Sequence, residues 1–300
     1  MTTAAFPLEE RFRFASSRRS SAFAMVAIAA LWVAIELVGS LVFRSISMWE
    51  VVLIRYTIHL AIVIAIWGPK APWRTSRLRD HLTRSALMLV MPGAFVLGAS
   101  SSNAGSWINT IFWAAPLMVI GFATLLDRER AAVSTWCAAG LGWVAAWLYF
   151  APSGVPSLGT IAAGLAMGGS FALYIPLTRR LRNEPLRTNL FYTATVPWLA
   201  LLPLMPRVWV TPGMPELLGL LFIGAGGWVV LLLFDRAADA APVSHSAPLL
   251  HLQTGFIMVF TLVAQGYPGP KRTAAVAVLL VATAALTWPA VRRDTTEAVA

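Results

Sequence analysis

The sequence predicts an all-α integral membrane protein: ten transmembrane helices arranged as two inverted five-helix repeats. Three observations predict it. The chain of 300 residues is 58% hydrophobic and 12% charged, with a mean hydropathy of +0.71, whereas the surface of a water-soluble domain needs about twice that charge. Its apolar residues fall into ten runs, each close to the roughly 20 residues with which a helix crosses a bilayer. Its basic residues gather in alternate links between those runs, as the topology of a membrane protein demands.

The first run, 22–43, follows a tail carrying Arg11, Arg13, Arg18 and Arg19. It is longer than the apolar centre of a signal peptide and reads as an uncleaved first helix. The runs 49–68 and 84–102 flank a basic loop, 70–84. The fourth and fifth, 105–126 and 132–150, flank the charged cluster from Asp127 to Arg130, and 158–178 is joined to 188–206 by a basic link, 179–187. The eighth, 214–234, stops at Asp235-Arg236; these charges and the Asp127 cluster read as residues at the water interface. The ninth, 240–264, is interrupted by polar residues (Asp239, His245 and His251), and the tenth, 272–290, precedes Arg292 and Arg293. The expected organisation is a tail (1–20), a first repeat (21–150), a second repeat (151–291) and a second tail (292–300).

With the N-terminus in the cytoplasm, every Lys and Arg faces that side except Arg44, Arg55, Arg207, Lys271 and Arg272. The positive-inside rule therefore predicts a multi-pass protein of the cell's inner membrane with both termini cytoplasmic. Five spans per half make the second half enter from the opposite side, so the repeat is inverted, an arrangement characteristic of carriers. The halves correspond weakly in sequence: Leu31 to Ala34 aligns with Ser170 to Leu173, and Pro116 to Leu126 with Thr254 to Ala264.

The net charge of +10 is scattered through short loops, which excludes the basic stripe of a nucleic-acid-binding protein. The lone cysteine, Cys137, excludes an intrachain disulfide and a Cys-rich metal site, and its apolar run makes it a candidate core residue. No HExxH motif, phosphate-cradling glycine loop or Ser-His-Asp constellation occurs. The expectation is thus no catalytic residue, no metal and no cofactor, with the bilayer and a small molecule as partners and the oligomeric state open.

Ionisable groups within a span are costly, by about 2.5–3.5 kcal/mol on insertion scales, and face a cavity or a partner. Glu36 and Arg55 lie at similar distances from the link between the first two runs, about 10 Å below it at 1.5 Å per residue. A hairpin would set them side by side, as a gate or substrate clamp or as a structural ion pair; Glu50 is a second possible partner for Arg55. His59, one turn beyond Arg55, is a candidate proton-linked switch or a hydrogen-bonded packing residue. Asn109, Trp113 and Pro116 share one face of the fourth run, and Ser170 and Tyr174 one face of the sixth. Trp32 and Trp228 complete the aromatic candidates. His251 and Gln253 are two residues apart, so at most one should line a cavity unless the helix is broken. Pro92-Gly93 and the glycines before Trp228 are candidate hinges or close-packing positions.

Four features resemble the drug/metabolite transporter superfamily, in particular its EamA-type ten-helix branch, over nearly the whole chain. These are the mid-span Trp32; Ile54-Arg55-Tyr56; the polar link from Ala99 to Ser106 leading to Pro116 and, 13 residues later, Glu129; and Leu177-Thr178-Arg179-Arg180-Leu181. The chain departs from that pattern at Val33, at Glu36, and in its second half, where Thr254 and Gln265-Gly266-Tyr267 replace the proline and acid. The resemblance implies a secondary carrier exporting a small organic metabolite or a drug; amino acids or other zwitterions are the first substrates expected, because Glu36, Arg55 and the aromatic residues can meet both charges, and Glu36 or His59 makes a proton a candidate coupling partner. Two other classes compete with it: an enzyme acting on a lipid-linked substrate with His59 or His251 as base, and a scaffold that transports nothing.

Overall fold

The computed structural model describes residues 17–42, 44–69, 74–98, 104–265 and 269–292. Most of the two expected tails, much of the link from Ala99 to Ser106, and Gly266-Tyr267 lie outside the described residues. All regular structure among the described residues is helical, and nine helical stretches there are long and apolar enough to cross a membrane. The first three are α1 (Arg18–Val42), α2 (Met48–Trp67) and α3 (Leu78–Gly98). The fourth is divided into α4 (Ala104–Phe112) and α5 (Ala115–Asp127); α6 (Val133–Phe150) and α7 (Leu158–Arg180) follow. The seventh predicted span is segmented into α8 (Leu186–Leu201), a 3₁₀ turn and α9 (Met205–Val208), with Pro203 and Pro206 in its second part. Then come α10 (Met214–Ala240), two 3₁₀ turns (Val243–His245 and Ala247–His251), α11 (Leu252–Gln265) and α12 (Pro270–Arg292).

Several boundaries differ from expectation, for identifiable reasons. Helix α3 begins before Arg84 and α10 runs beyond Asp235 and Arg236, so charges that hydropathy assigns to span ends lie within helices and are buried. The fourth span breaks at Trp113-Ala114. Pro116 has no N–H to give the Phe112 carbonyl, and Gly168 of α7 lies so close that a Cβ there would be 3.1 Å from that oxygen. The amide of Ala114 turns to Ile111, and the Thr110 carbonyl left behind accepts the Trp143 indole N–H at 2.8 Å. Broken backbone is tolerated at this depth because protein groups take up the freed carbonyl. The ninth span breaks in the same manner, its polar stretch forming 3₁₀ turns before α11 starts. Cys137 is exposed on α6, not in the core.

The packing repeats when the halves are exchanged. Helix α10 packs on both α1 and α2, and α3 correspondingly packs on both α7 and α8. Helices α2 and α8 pack together, as do α6 and α12, each pair mapping onto itself; α4 and α5 lie on α7 as α11 and its preceding turn lie on α1. The two weakly matched sequence segments fall where this exchange requires. Pro116 and Thr254 both sit in the first turn of the second piece of a broken span. Trp32 and Phe171, aligned between the halves, meet edge to face with ring centroids 5.5 Å apart.

Candidate functional site

Helices of both halves surround a cavity of about 420 Å³, within the roughly 300–1,000 Å³ of small-molecule sites. Its lining begins at Gly39, Ser40 and Met48 beside the α1–α2 turn and continues to Tyr56, Met88, Tyr174 and Phe234. Apolar and aromatic side chains dominate. Among the described residues Glu36 is the only carboxylate in the lining and Arg55 the only cation.

Of the residues expected to form a site, Trp32, Glu36, Arg55, Asn109, Trp113, Tyr174 and Gln253 line the cavity. His59, Ser170, Trp228 and His251 are buried outside its lining. His59 packs beside Gly224 of α10 and stands edge-on to Tyr56 with centroids 5.2 Å apart. Ser170 donates to the Met167 carbonyl of its own helix at 3.0 Å. Trp228 belongs to the main hydrophobic core. His251 presses on α6 so closely that a Cβ at Gly142 would be 2.2 Å from its ring. The break before α11 therefore points Gln253 inward while His251 packs outward, as their spacing requires.

Glu36 and Arg55 do not form the expected ion pair. Helices α1 and α2 are consecutive in sequence, but α10 packs on both; Gly226 meets Ile35 of α1 and Gly227 meets Arg55 of α2. Two neutral donors hold Glu36 instead: the Trp32 indole N–H at 2.9 Å and the Gln253 amide at 2.9 Å. Gln253 thus ties the second half to the first-half carboxylate. Glu50, the other possible partner of Arg55, is fully buried and accepts from the Val210 amide at 2.9 Å. Asn109 lines the cavity and donates to the Gly105 carbonyl one turn back at 3.0 Å.

Beyond Tyr174 lies a cluster that sequence reasoning missed. Arg84 of α3 is 0% exposed. It donates to the Asn189 carbonyl and the Thr193 hydroxyl, both at 2.6 Å, and to Thr178 at 3.4 Å. Its guanidinium is 3.7 Å from Asp235, which also accepts from Asn189 at 2.9 Å, and lies over the Tyr174 ring at 5.4 Å. Nearby, Glu129 pairs with Arg179 at 3.1 Å and accepts from the Ser244 amide, and Asp127 pairs with Arg180 at 2.8 Å. Of the charges read as interfacial markers, Asp127, Glu129 and Asp235 are therefore paired with arginines of other helices, while Arg236 pairs with Asp239 of its own helix. The motif residues Thr178, Arg179, Arg180 and Glu129 belong to this network and not to the cavity wall. Also missed were the aromatic linings Tyr56, Phe95, Phe150, Phe171 and Phe234, which an apolar helix pattern cannot separate from core. Among the described residues no cluster of His, Cys, Asp and Glu could hold a metal ion.

No family model matches the chain. It is similar to S-adenosylmethionine uptake transporters of Rickettsia prowazekii, 21% identical over 68% of this chain and 70% of that protein, and of Rickettsia bellii, 22% identical over 68% and 71%. A solved crystal structure shares the fold with a TM-score of 0.76 and 19% identity, covering 92% of this chain and 99% of that one.

Proposed function

We propose that this chain is a secondary carrier that moves a small organic metabolite across the inner membrane by alternating access, residues 21–150 and 151–291 rocking about the cavity. The observation that carries the proposal is the cavity itself, lined by helices of both halves, with aromatic walls and one carboxylate. Aromatic faces beside a carboxylate suit an organic cation, and carriers built from inverted repeats bind near the interface of the repeats. The relatives' name supports a substrate such as S-adenosylmethionine, a sulfonium that also carries an amino-acid group, and it supports uptake over the export implied by the family resemblance. We assign both termini to the cytoplasm on the distribution of Lys and Arg, and a coupling proton, if one is used, to Glu36.

The enzyme reading loses its support, because His59 and His251 are buried outside the cavity lining. Reconstitution in liposomes tests the carrier. Vesicles loaded with S-adenosylmethionine should accumulate labelled S-adenosylmethionine by counterflow, while protein-free vesicles should not. Absence of counterflow with S-adenosylmethionine and with each common amino acid would overturn the proposal. Repeating the assay with an imposed pH gradient decides the proton, and accessibility of tags at either terminus in intact cells decides the orientation.

A further inference from the structure

Arg55 is unlike every other buried or half-buried arginine that the fold pairs with an acid. Its guanidinium reaches the cavity wall from α2, and among the described residues no carboxylate pairs with it. Its Nε is buried without a hydrogen-bond acceptor. Among the described residues the attractive contact recorded for it is the Tyr56 ring, 5.8 Å from the guanidinium carbon. Arg84 also leaves its Nε without an acceptor, but two helices supply oxygen acceptors to its terminal nitrogens and a third supplies Asp235.

The position of Arg55 is nevertheless set closely. Gly227 of α10 forms the notch against which the side chain lies, and a Cβ there would fall 2.5 Å from Nε and 2.9 Å from Cζ. A cation held rigidly, facing a cavity and lacking a counterion has its hydrogen-bonding capacity unspent. A guanidinium in a site of low polarity is matched by a planar, bidentate carboxylate. Glu36 lines the same cavity and is already held by the neutral donors Trp32 and Gln253, so the two opposite charges are not paired with each other.

We propose that Arg55, seated on Gly227, is a carboxylate subsite that the substrate must fill, with the cationic end of the same molecule directed to Glu36. This rests on the carrier reading and deepens it. The site selects dipolar molecules, discriminates against the same cation lacking its carboxylate, and gives the bound molecule one orientation. Gly227 is a positioning residue: it leaves the guanidinium present and decides where it lies.

Matched probe pairs test the subsite: S-adenosylmethionine against its decarboxylated form, and lysine against cadaverine. Thermal stabilisation of the purified protein by each probe is read alongside counterflow. The unaltered chain should favour the carboxylate member of its preferred pair by about ten-fold or more, the scale of one lost charged hydrogen bond. Arg55→Gln should bring the two members within about two-fold, mostly by weakening the carboxylate member, and Gly227→Ala should reduce the preference with Arg55 still in place. If Arg55→Gln does not fold, Arg55→Lys, which keeps the charge and loses the planar fork, and Gly227→Ala carry the test. Unchanged preference in folded variants overturns the subsite while leaving the carrier intact. Absence of counterflow in the unaltered chain overturns the carrier reading alone, and the thermal preference then decides the subsite; no preference there overturns it.

Discussion

Helix α10 between α1 and α2, and α3 between α7 and α8, are the same packing made twice, yet the chemistry placed in them is opposite. At the first wedge the charges are separated: Glu36 is held by neutral donors and Arg55 faces the cavity without an acid. At the second, Arg84 is buried and its terminal nitrogens are held by Asn189, Thr193, Thr178 and Asp235. On the proposed reading the first wedge receives a ligand, whereas protein groups fill the second. Trp32 and Phe171, equivalent in the two repeats and in contact, mark where the two environments meet.

The largest expected effect breaks the sealed wedge. Asp235→Asn leaves the Arg84 charge buried without its acid, and removing one partner of a buried pair costs about 3–5 kcal/mol. Denaturant unfolding in detergent should register that loss, and the double variant Arg84→Met, Asp235→Leu should recover most of it. A loss below about 1 kcal/mol would show that the neutral acceptors alone hold Arg84.

Next comes Gly142→Ala, which drives a methyl into the His251 ring and should cost about 1–3 kcal/mol by overpacking. His251→Ala in the same chain should relieve much of the clash. If transport fails while stability is unchanged, His251 has a role in the site and not in the wall. Glu36→Gln acts in the other direction, leaving the fold within about 1 kcal/mol while lowering transport about ten-fold or more, equivalent to about 1.4 kcal/mol. Counterflow at matched protein content reads it, and normal flux would demote Glu36 to structure. The smallest effect is Ser170→Ala, within about 0.5 kcal/mol and without change in transport, because its hydroxyl serves only the Met167 carbonyl.

Hydropathy made the membrane class, the order of the helices and the inverted halves legible, because apolar length is a direct consequence of bilayer thickness. Residues near the first wedge were legible too: Glu36 and Arg55 stand out in apolar helices whatever their partners. Their relation was not legible. A hairpin link says that α1 and α2 are consecutive and says nothing about α10 coming between them. The sealed wedge escaped for a different reason. Arg84 and Asp235 stand near span ends, where hydropathy cannot distinguish a charge in water from a charge buried against another helix. Glu129 and Arg179 were seen as motif members, and their pairing at 3.1 Å gives that motif a physical meaning as a clasp between helices. The histidines misled because a polar side chain in an apolar run signals a cavity only when no glycine notch is ready to receive its ring, as Gly142 receives His251.

The inequality of the wedges is most directly measured by cysteine accessibility. Cys137 is exposed and is first replaced by serine; Ser40→Cys, at the cavity lining beside the α1–α2 turn, and Thr178→Cys, against Arg84, are then compared with a charged thiosulfonate reagent. The account predicts rapid modification of Ser40→Cys and protection of Thr178→Cys, with protection weakened when Asp235→Asn is added. Equal reactivity at the two positions, unaffected by Asp235→Asn, would contradict it.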